Sequence, residues 1–454
     1  MLLFRCLQMR AFVVLAGLLL WGKPAKANWL NQWTSLALNA GRESTQSAAE
    51  ISRSMAMLHT AVYNSIEGIQ GDHYLYSHGA YTGPGVTPEL GASTEAAAVT
   101  AAYTVLSNLY SDTSGSFANL YAAQMNTLTD GTSTLNGINY GSLVADGILS
   151  WRTLDGASDA NNPAHYTPIT STGHWSPVGA AGNAMVPGWG SVDTFSISNP
   201  ATYTGTLGMT NAAYVASTQY TTDYNEVKSI GSTTSPRTQE QTDAAHFWNG
   251  QPGTTTNVGL WNQVAMTIID NEGLDMQQAA RLYAALNVAL ADTAITTWAT
   301  KIETDLWSPE AAILSGNVDG NPDTMGDPTW QPLLPSISAP TYFAEQASLG
   351  AAATGILETF VGTNYAFTLT SDTDGDGDID LTMQFDSLSD ALIQAMNSGI
   401  WGGIYMRSAA EDALDSGDQI ATLVMGTQFV AVPEPGGLLL LAVSSLTLMF
   451  RRRR

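Results

Sequence analysis

Residues 275 to about 300 constrain the fold more than any other stretch. Leu282, Leu286, Leu290 and Trp298 recur there at multiples of four, and only a helix keeps them on one side. Other stretches read the same way. Across 49–66, Met55, Leu58, His59, Val62, Tyr63 and Ile66 make one apolar face. A second helix opens at Ser93-Thr94-Glu95, with polar caps and an early acid, and runs through Val99, Tyr103, Leu106 and Tyr110. Phe117, Leu120, Tyr121, Met125 and Leu128 mark a third, and 138–151 a fourth. Further helices are expected over 238–248, 257–271, 345–360 and 387–397, whereas strand-like alternation is scarce. Between 161 and 236 periodicity fades and Gly, Pro, Ser and Thr dominate, with Tyr166, Trp175, Trp189 and Phe195 to pin the excursion down. The expected fold is all-α: stacked helical bundles with a long loop-rich insertion.

The two ends say where such a chain goes. Arg5 and Arg10 precede the apolar run 11–20, and Ala25-Lys26-Ala27 follows. A basic start, a short apolar core and a small-x-small site make 1–27 a secretory signal peptide, with Asn28 first after cleavage. The only cysteine, Cys6, lies in that segment, so the mature chain has no disulfide and holds together by its core. At the other end, Val432-Pro433-Glu434-Pro435-Gly436-Gly437 leads into the apolar run 438–450 and then four arginines, Arg451 to Arg454. The run reads as a short membrane segment with its basic block on the cytoplasmic side. This order resembles the PEP-CTERM sorting tail of Gram-negative bacteria that make exopolysaccharide. The resemblance implies processing by an exosortase-type enzyme near Pro433, and delivery to the cell surface or beyond. An ordinary membrane anchor gives nearly the same location. The expected divisions are 1–27 (signal), 28–430 (body) and 431–454 (tail).

The charge balance narrows the partners. Of 16 Lys and Arg, four precede Asn28 and four close the chain, leaving eight in the body; of 40 acids only Glu434 lies in the tail. A body near −31 repels nucleic acid and anionic lipid and disfavours polyanionic substrates, so membrane contact is expected only through the tail.

Between 224 and 313 an order of short pieces emerges. It runs Tyr224-Asn225-Glu226-Val227-Lys228, Arg237-Thr238, Ala245-His246-Phe247-Trp248, Ala280-Arg281 and Ala289-Leu290-Ala291-Asp292. Then follow Trp298, Lys301, Trp307-Ser308-Pro309 and Ala312-Ile313. Together with the early helix and Gly173-His174-Trp175, this resembles the bacterial vanadium-dependent haloperoxidases, whose fold and anion site are shared with type 2 phosphatidic acid phosphatases. The resemblance implies a haloperoxidase-like helical domain over 28–430. It also implies a nest of one lysine, two arginines, a Ser-Gly pair and two histidines around vanadate or phosphate. Such a nest is needed because stripping a polyanion of water is costly.

Position by position, most of the nest is missing. Lys301 stands where the family lysine stands, but the arginine of Trp-Arg-Pro is Ser308. The Pro-Ser-Gly-His segment falls on Phe343-Ala344-Glu345-Gln346. The last motif reads Ser398-Gly399-Ile400-Trp401-Gly402-Gly403-Ile404-Tyr405, with glycine for arginine at 399 and tyrosine for the axial histidine at 405. Independently of alignment, the six histidines are His59, His73, His78, His165, His174 and His246, and none follows 246. The active site reads as degenerate and vanadate is not expected as a cofactor. Lys301 is expected to pair with Glu345.

Among other candidates, Asp372, Asp374, Asp376, Asp378 and Asp380 fit the first half of a calcium loop, with Gly377 at the sharp turn and Met383 where the bidentate acid belongs. A solvated acidic turn reads equally well. His73 and His78 lack a third metal ligand, His59 reads as a core histidine, Trp29 and Trp33 as packing, and Asp292 and Arg281 as supports of helix contacts. The expectation is an exported surface or matrix protein on this scaffold without haloperoxidase or phosphatase activity. The alternatives are an enzyme of altered chemistry, or a calcium-stabilised binder of exopolysaccharide.

Overall fold

The structure, a computed structural model, describes residues 26–129, 131–177 and 183–433. The signal segment up to residue 25 and the tail from 434 lie outside them.

Helices α1 (Ala27–Glu43), α2 (Ala48–Gln70), α3 (Thr94–Leu109), α4 (Ser116–Met125) and α5 (Thr132–Trp151) form the first half. The long excursion follows, and ends in α6 (Asn211–Val215) and α7 (Thr218–Ile230). Then come α8 (Gln239–Phe247), α9 (Thr256–Glu272), α10 (Met276–Thr304), α11 (Pro309–Ser315) and α12 (Glu345–Val361). The hairpin β1 (Phe367–Ser371) and β2 (Leu381–Phe385) precedes α13 (Leu388–Trp401) and α14 (Arg407–Thr427). The all-α expectation holds, with one small antiparallel hairpin in which Phe367 faces Phe385.

Local chemistry sets the boundaries. Ser47 and Glu50 form a reciprocal capping box at the start of α2, and Gly71 at φ +79° closes it. Asp275 and Gln278 do the same for α10. At 29 residues, α10 is ~44 Å long. It is buried nearly all round, from Ala279 to Lys301, because α2, α12 and α14 pack against it.

The excursion differs from expectation in its last third, where α6 and α7 form. Tyr220, Tyr224 and Val227 make the buried stripe of α7, but its threonines hide the period. Helix α14 carried no visible signal either. Its buried face is Ala409, Ala410, Ala413, Ser416, Gly417, Ile420, Ala421 and Val424, small residues that let it approach α12 closely. A Cβ on Gly417 would lie 2.2 Å from the Ser348 carbonyl oxygen, so no larger residue fits there.

Both ends of the body close on the middle. Ala27, the last residue of the expected signal, is buried at the start of α1. Lys26 pairs with Glu95 at 2.6 Å, both side chains about a third exposed, a contact that contributes little to stability. At the C-terminus Phe429 stacks on Tyr76 and meets Tyr63 edge-on. Beyond it, residues 430–432 pair with 72–74: Tyr74 N–H donates to Val430 O, and Val432 N–H to Asp72 O. Among the described residues no helix is long and apolar enough to cross a membrane.

Candidate functional site

The remnant positions come together where α10, α12 and the α13–α14 turn meet, inside a second apolar cluster that includes Trp307, Tyr342, Phe343, Ala344, Ile404 and Tyr405. Lys301, in the last turn of α10, is fully buried. Its ammonium donates to the Tyr405 hydroxyl at 3.1 Å and to the Pro340 carbonyl at 3.3 Å, and lies 4.8 Å from the centre of the Tyr405 ring. Burial pushes it down to about 8, opposed by the field of Glu345. The expected direct pair with Glu345 is not made. Glu345 sits partly buried in the first turn of α12, where the helix dipole already favours a carboxylate. Its carboxyl is raised by burial, with Lys301 opposing.

Tyr405 is placed by the glycine turn that ends α13. Ile404 N–H and Tyr405 N–H both donate to Gly399 O, at 2.9 and 3.2 Å. Gly403 turns at φ +77°, with Gly231 O so close that a Cβ would stand 2.4 Å from it; only glycine fits. The ring then folds back over Gly399, where a Cβ would meet Tyr405 Cδ2 at 2.6 Å. The Tyr405 hydroxyl also accepts a long hydrogen bond, 3.5 Å, from Glu345 N–H at the start of α12. Burial and the Glu345 carboxylate hold this phenol well above its ordinary value, so it stays neutral.

Ser308 is buried but serves as the N-cap of α11, accepting from Ala311 N–H at 3.2 Å. Ala344 caps α12 without a side-chain hydrogen bond, its N–H donating to Ala409 O. Gln346 is buried, and its Oε1 has no partner among the described residues. Among the described residues, five of the better-formed cavities, of about 130 to 640 Å³, open elsewhere, and none of these five is lined by the residues of this cluster.

Of the calcium candidates, Asp372, Asp374 and Asp376 bring carboxylate oxygens within 4.8 Å of one another in the β1–β2 loop. Asp380 instead accepts from Thr373 N–H and Oγ1, both at 2.7 Å, and Asp378 is not in the group. Arg42 reaches over from α1 to Asp372 at 3.3 Å.

Sequence reasoning missed the partners of Asp292. It supports no neighbouring helix; fully buried on α10, it accepts from the N–H groups of Phe195, Ser196 and Ile197 (2.6, 2.7 and 3.1 Å) and from the Ser196 hydroxyl. It thereby ties the excursion to α10. Arg152, also buried, ties the same loop from α5, donating to Asp193 O, Thr194 O and Asp155. His174 joins Asp305 and Tyr166 at the end of α10 rather than Lys301. His73 pairs with Glu67. His59 stacks on Tyr283 at 4.5 Å, but only half satisfied: Nδ1 has no partner among the described residues, and burial pushes the ring down to about 3. Trp33 packs in the core and donates to Gln124, while Arg281 donates to Phe429 O.

These features sit on a scaffold seen elsewhere. A family model described as the VCPO second helical-bundle domain matches residues 281–430, the part that carries every remnant position. Among solved structures, a bacterial vanadium-dependent iodoperoxidase superposes with a TM-score of 0.74 at 20% identity, over 90% of this chain and 98% of that one. A bacterial vanadium-dependent chloroperoxidase gives a TM-score of 0.62 in both its holo form (14% identity, 84% of this chain and 92% of that one) and its apo form (12%, 84% and 93%). No curated protein matches the chain in sequence. Its fold is that of the bacterial vanadium-dependent haloperoxidases.

Proposed function

We propose that this is an exported protein that keeps the haloperoxidase-type scaffold without haloperoxidase or phosphatase activity, and serves at the cell surface or in the extracellular matrix. One observation carries the loss of activity: the Tyr405 hydroxyl accepts from both Lys301 and the first N–H of α12. Those are donors that an oxyanion would use, and a neutral phenol oxygen now takes them. The ring also fills the space beside Gly399, where the resemblance calls for an arginine. With Ser308 capping a helix, and no imidazole among the hydrogen-bond partners of Lys301 or Tyr405 in the described residues, only the Lys301 ammonium is left to set against a trivalent anion. Calorimetric titration of the mature protein with orthovanadate and with phosphate is expected to give no submillimolar binding; a submillimolar dissociation constant for either would refute the reading. The two ends support export, through a signal peptide and an exosortase-type processing step, with exopolysaccharide as the partner at the destination.

A second reading, an enzyme of altered chemistry using Lys301, Glu345, Gln346 and Tyr405, draws on the lowered lysine and the unpartnered Gln346 Oε1. Against it stands the apolar packing around all four.

Calcium is proposed for the β1–β2 loop on the convergence of Asp372, Asp374 and Asp376. Binding there would pull Asp372 from Arg42 and brace the hairpin. Millimolar calcium is expected to raise the melting temperature by a few degrees, at a 100-fold excess over Kd worth about 2.7 kcal/mol. Asp374→Asn with Asp376→Asn should abolish the shift; an unchanged shift in that variant counts against the site.

A further inference from the structure

We infer that a trench between α1 and α9 is a binding site for a neutral oligosaccharide. The two helices run antiparallel along it. Asn31 lies opposite Asp270 (3.0 Å), Ser35 opposite Met266 (Oγ to Sδ 3.7 Å), and Arg42 opposite Asp372 of the hairpin loop (3.3 Å). Cavities of about 610 and 270 Å³ flank the Ser35–Met266 contact and share both residues, so they form one trench with a low saddle. From Asn28 at one end to Arg42 at the other it follows ~21 Å of helix, long enough for a chain of sugar rings.

Its chemistry selects the ligand class. Asn28, Asn39 and Asn119 line it, are exposed, and have no side-chain hydrogen-bond partner among the described residues. An amide both donates and accepts, which matches a hydroxyl group without demanding charge. Leu36, Leu120 and Met266 supply apolar surface for the C–H faces of a sugar. Asp270, Asp372 and Asp378 line the trench with Arg42, which lies against Asp372. Even with the α-amino group of Asn28 in the mature chain, acids outnumber cations, so a sulfated or phosphorylated chain is repelled there as by the rest of the body. A peptide strand would need an open sheet edge; β1 gives the trench only Thr370, whose N–H already donates to Gln263 Oε1 at 3.4 Å, and the other walls are helices and loops. The site is separate from the Lys301 cluster and does not depend on how that cluster is read.

Isothermal titration of the mature protein with maltodextrin, cellodextrin and xylan oligosaccharides, followed by hydrogen exchange, tests this. At least one is expected to bind and to slow exchange in 28–42 and 263–270. Asn28→Ala with Asn119→Ala, both at exposed positions, should weaken binding about tenfold with an unchanged melting temperature. Ser35→Trp, which fills the saddle, should abolish it. Failure of all three sugars to bind, protection confined to another face, or binding that neither variant alters would overturn the proposal. So would binding of oligolysine in their place, which would make the trench a polycation site.

Discussion

Replacing Asp292 by alanine is expected to destabilise the protein by about 5 kcal/mol, since three buried backbone N–H groups at about 1–3 kcal/mol each lose their acceptor. The carboxylate receives the N–H groups of Phe195, Ser196 and Ile197 and the Ser196 hydroxyl at once, and no second acceptor stands ready. Burial pushes its carboxyl up and these donors oppose that; the full set is satisfied only by an acceptor with two oxygens. Asp292→Asn keeps the shape but turns one oxygen into a donor facing donors, and should cost about 2–3 kcal/mol. Urea unfolding followed by tryptophan fluorescence measures both. A loss below about 1 kcal/mol in the alanine variant would mean that the excursion is held chiefly by Arg152.

The second large effect is at Tyr405. Truncation to alanine removes a buried ring and leaves a cavity, a loss of about 4 kcal/mol. Tyr405→Phe keeps the ring and costs about 1–2 kcal/mol, because the Lys301 ammonium then has only Pro340 O within reach. The same change should push Lys301 further down. A double-mutant cycle distinguishes a space-filling ring from a merely adjacent one. Gly399→Ala brings a Cβ to 2.6 Å from the Tyr405 ring and should be strongly destabilising with tyrosine present. In the Tyr405→Ala background it should be nearly neutral, and additive losses would show that the ring does not fill that space.

How much of this was legible in the sequence depends on what carried each signal. Helices with large apolar residues at helical spacing, such as α2 and α10, stood out. Those whose faces are small, as in α14, or rich in threonine, as in α7, did not, because close backbone packing leaves no mark in hydrophobicity. The hairpin was hidden by the acidic loop between its five-residue strands. At the site, the missing histidines after 246 and the isolated Lys301 could be read directly. The partner of Lys301 could not. Charge pointed to Glu345, whereas the fold delivers Tyr405, 104 residues along the chain. Asp292 was equally opaque, since three of its four donors are backbone groups, which every residue but proline carries.

The seat of Phe429 between Tyr63 and Tyr76 bears on when this chain can fold. The first-formed helices find their last core neighbour only after nearly the whole sequence has been made, so the decisive contacts join distant parts of the chain. A chain cut before Phe429 would therefore leave the Tyr63 and Tyr76 rings without that neighbour, however complete the early helices are.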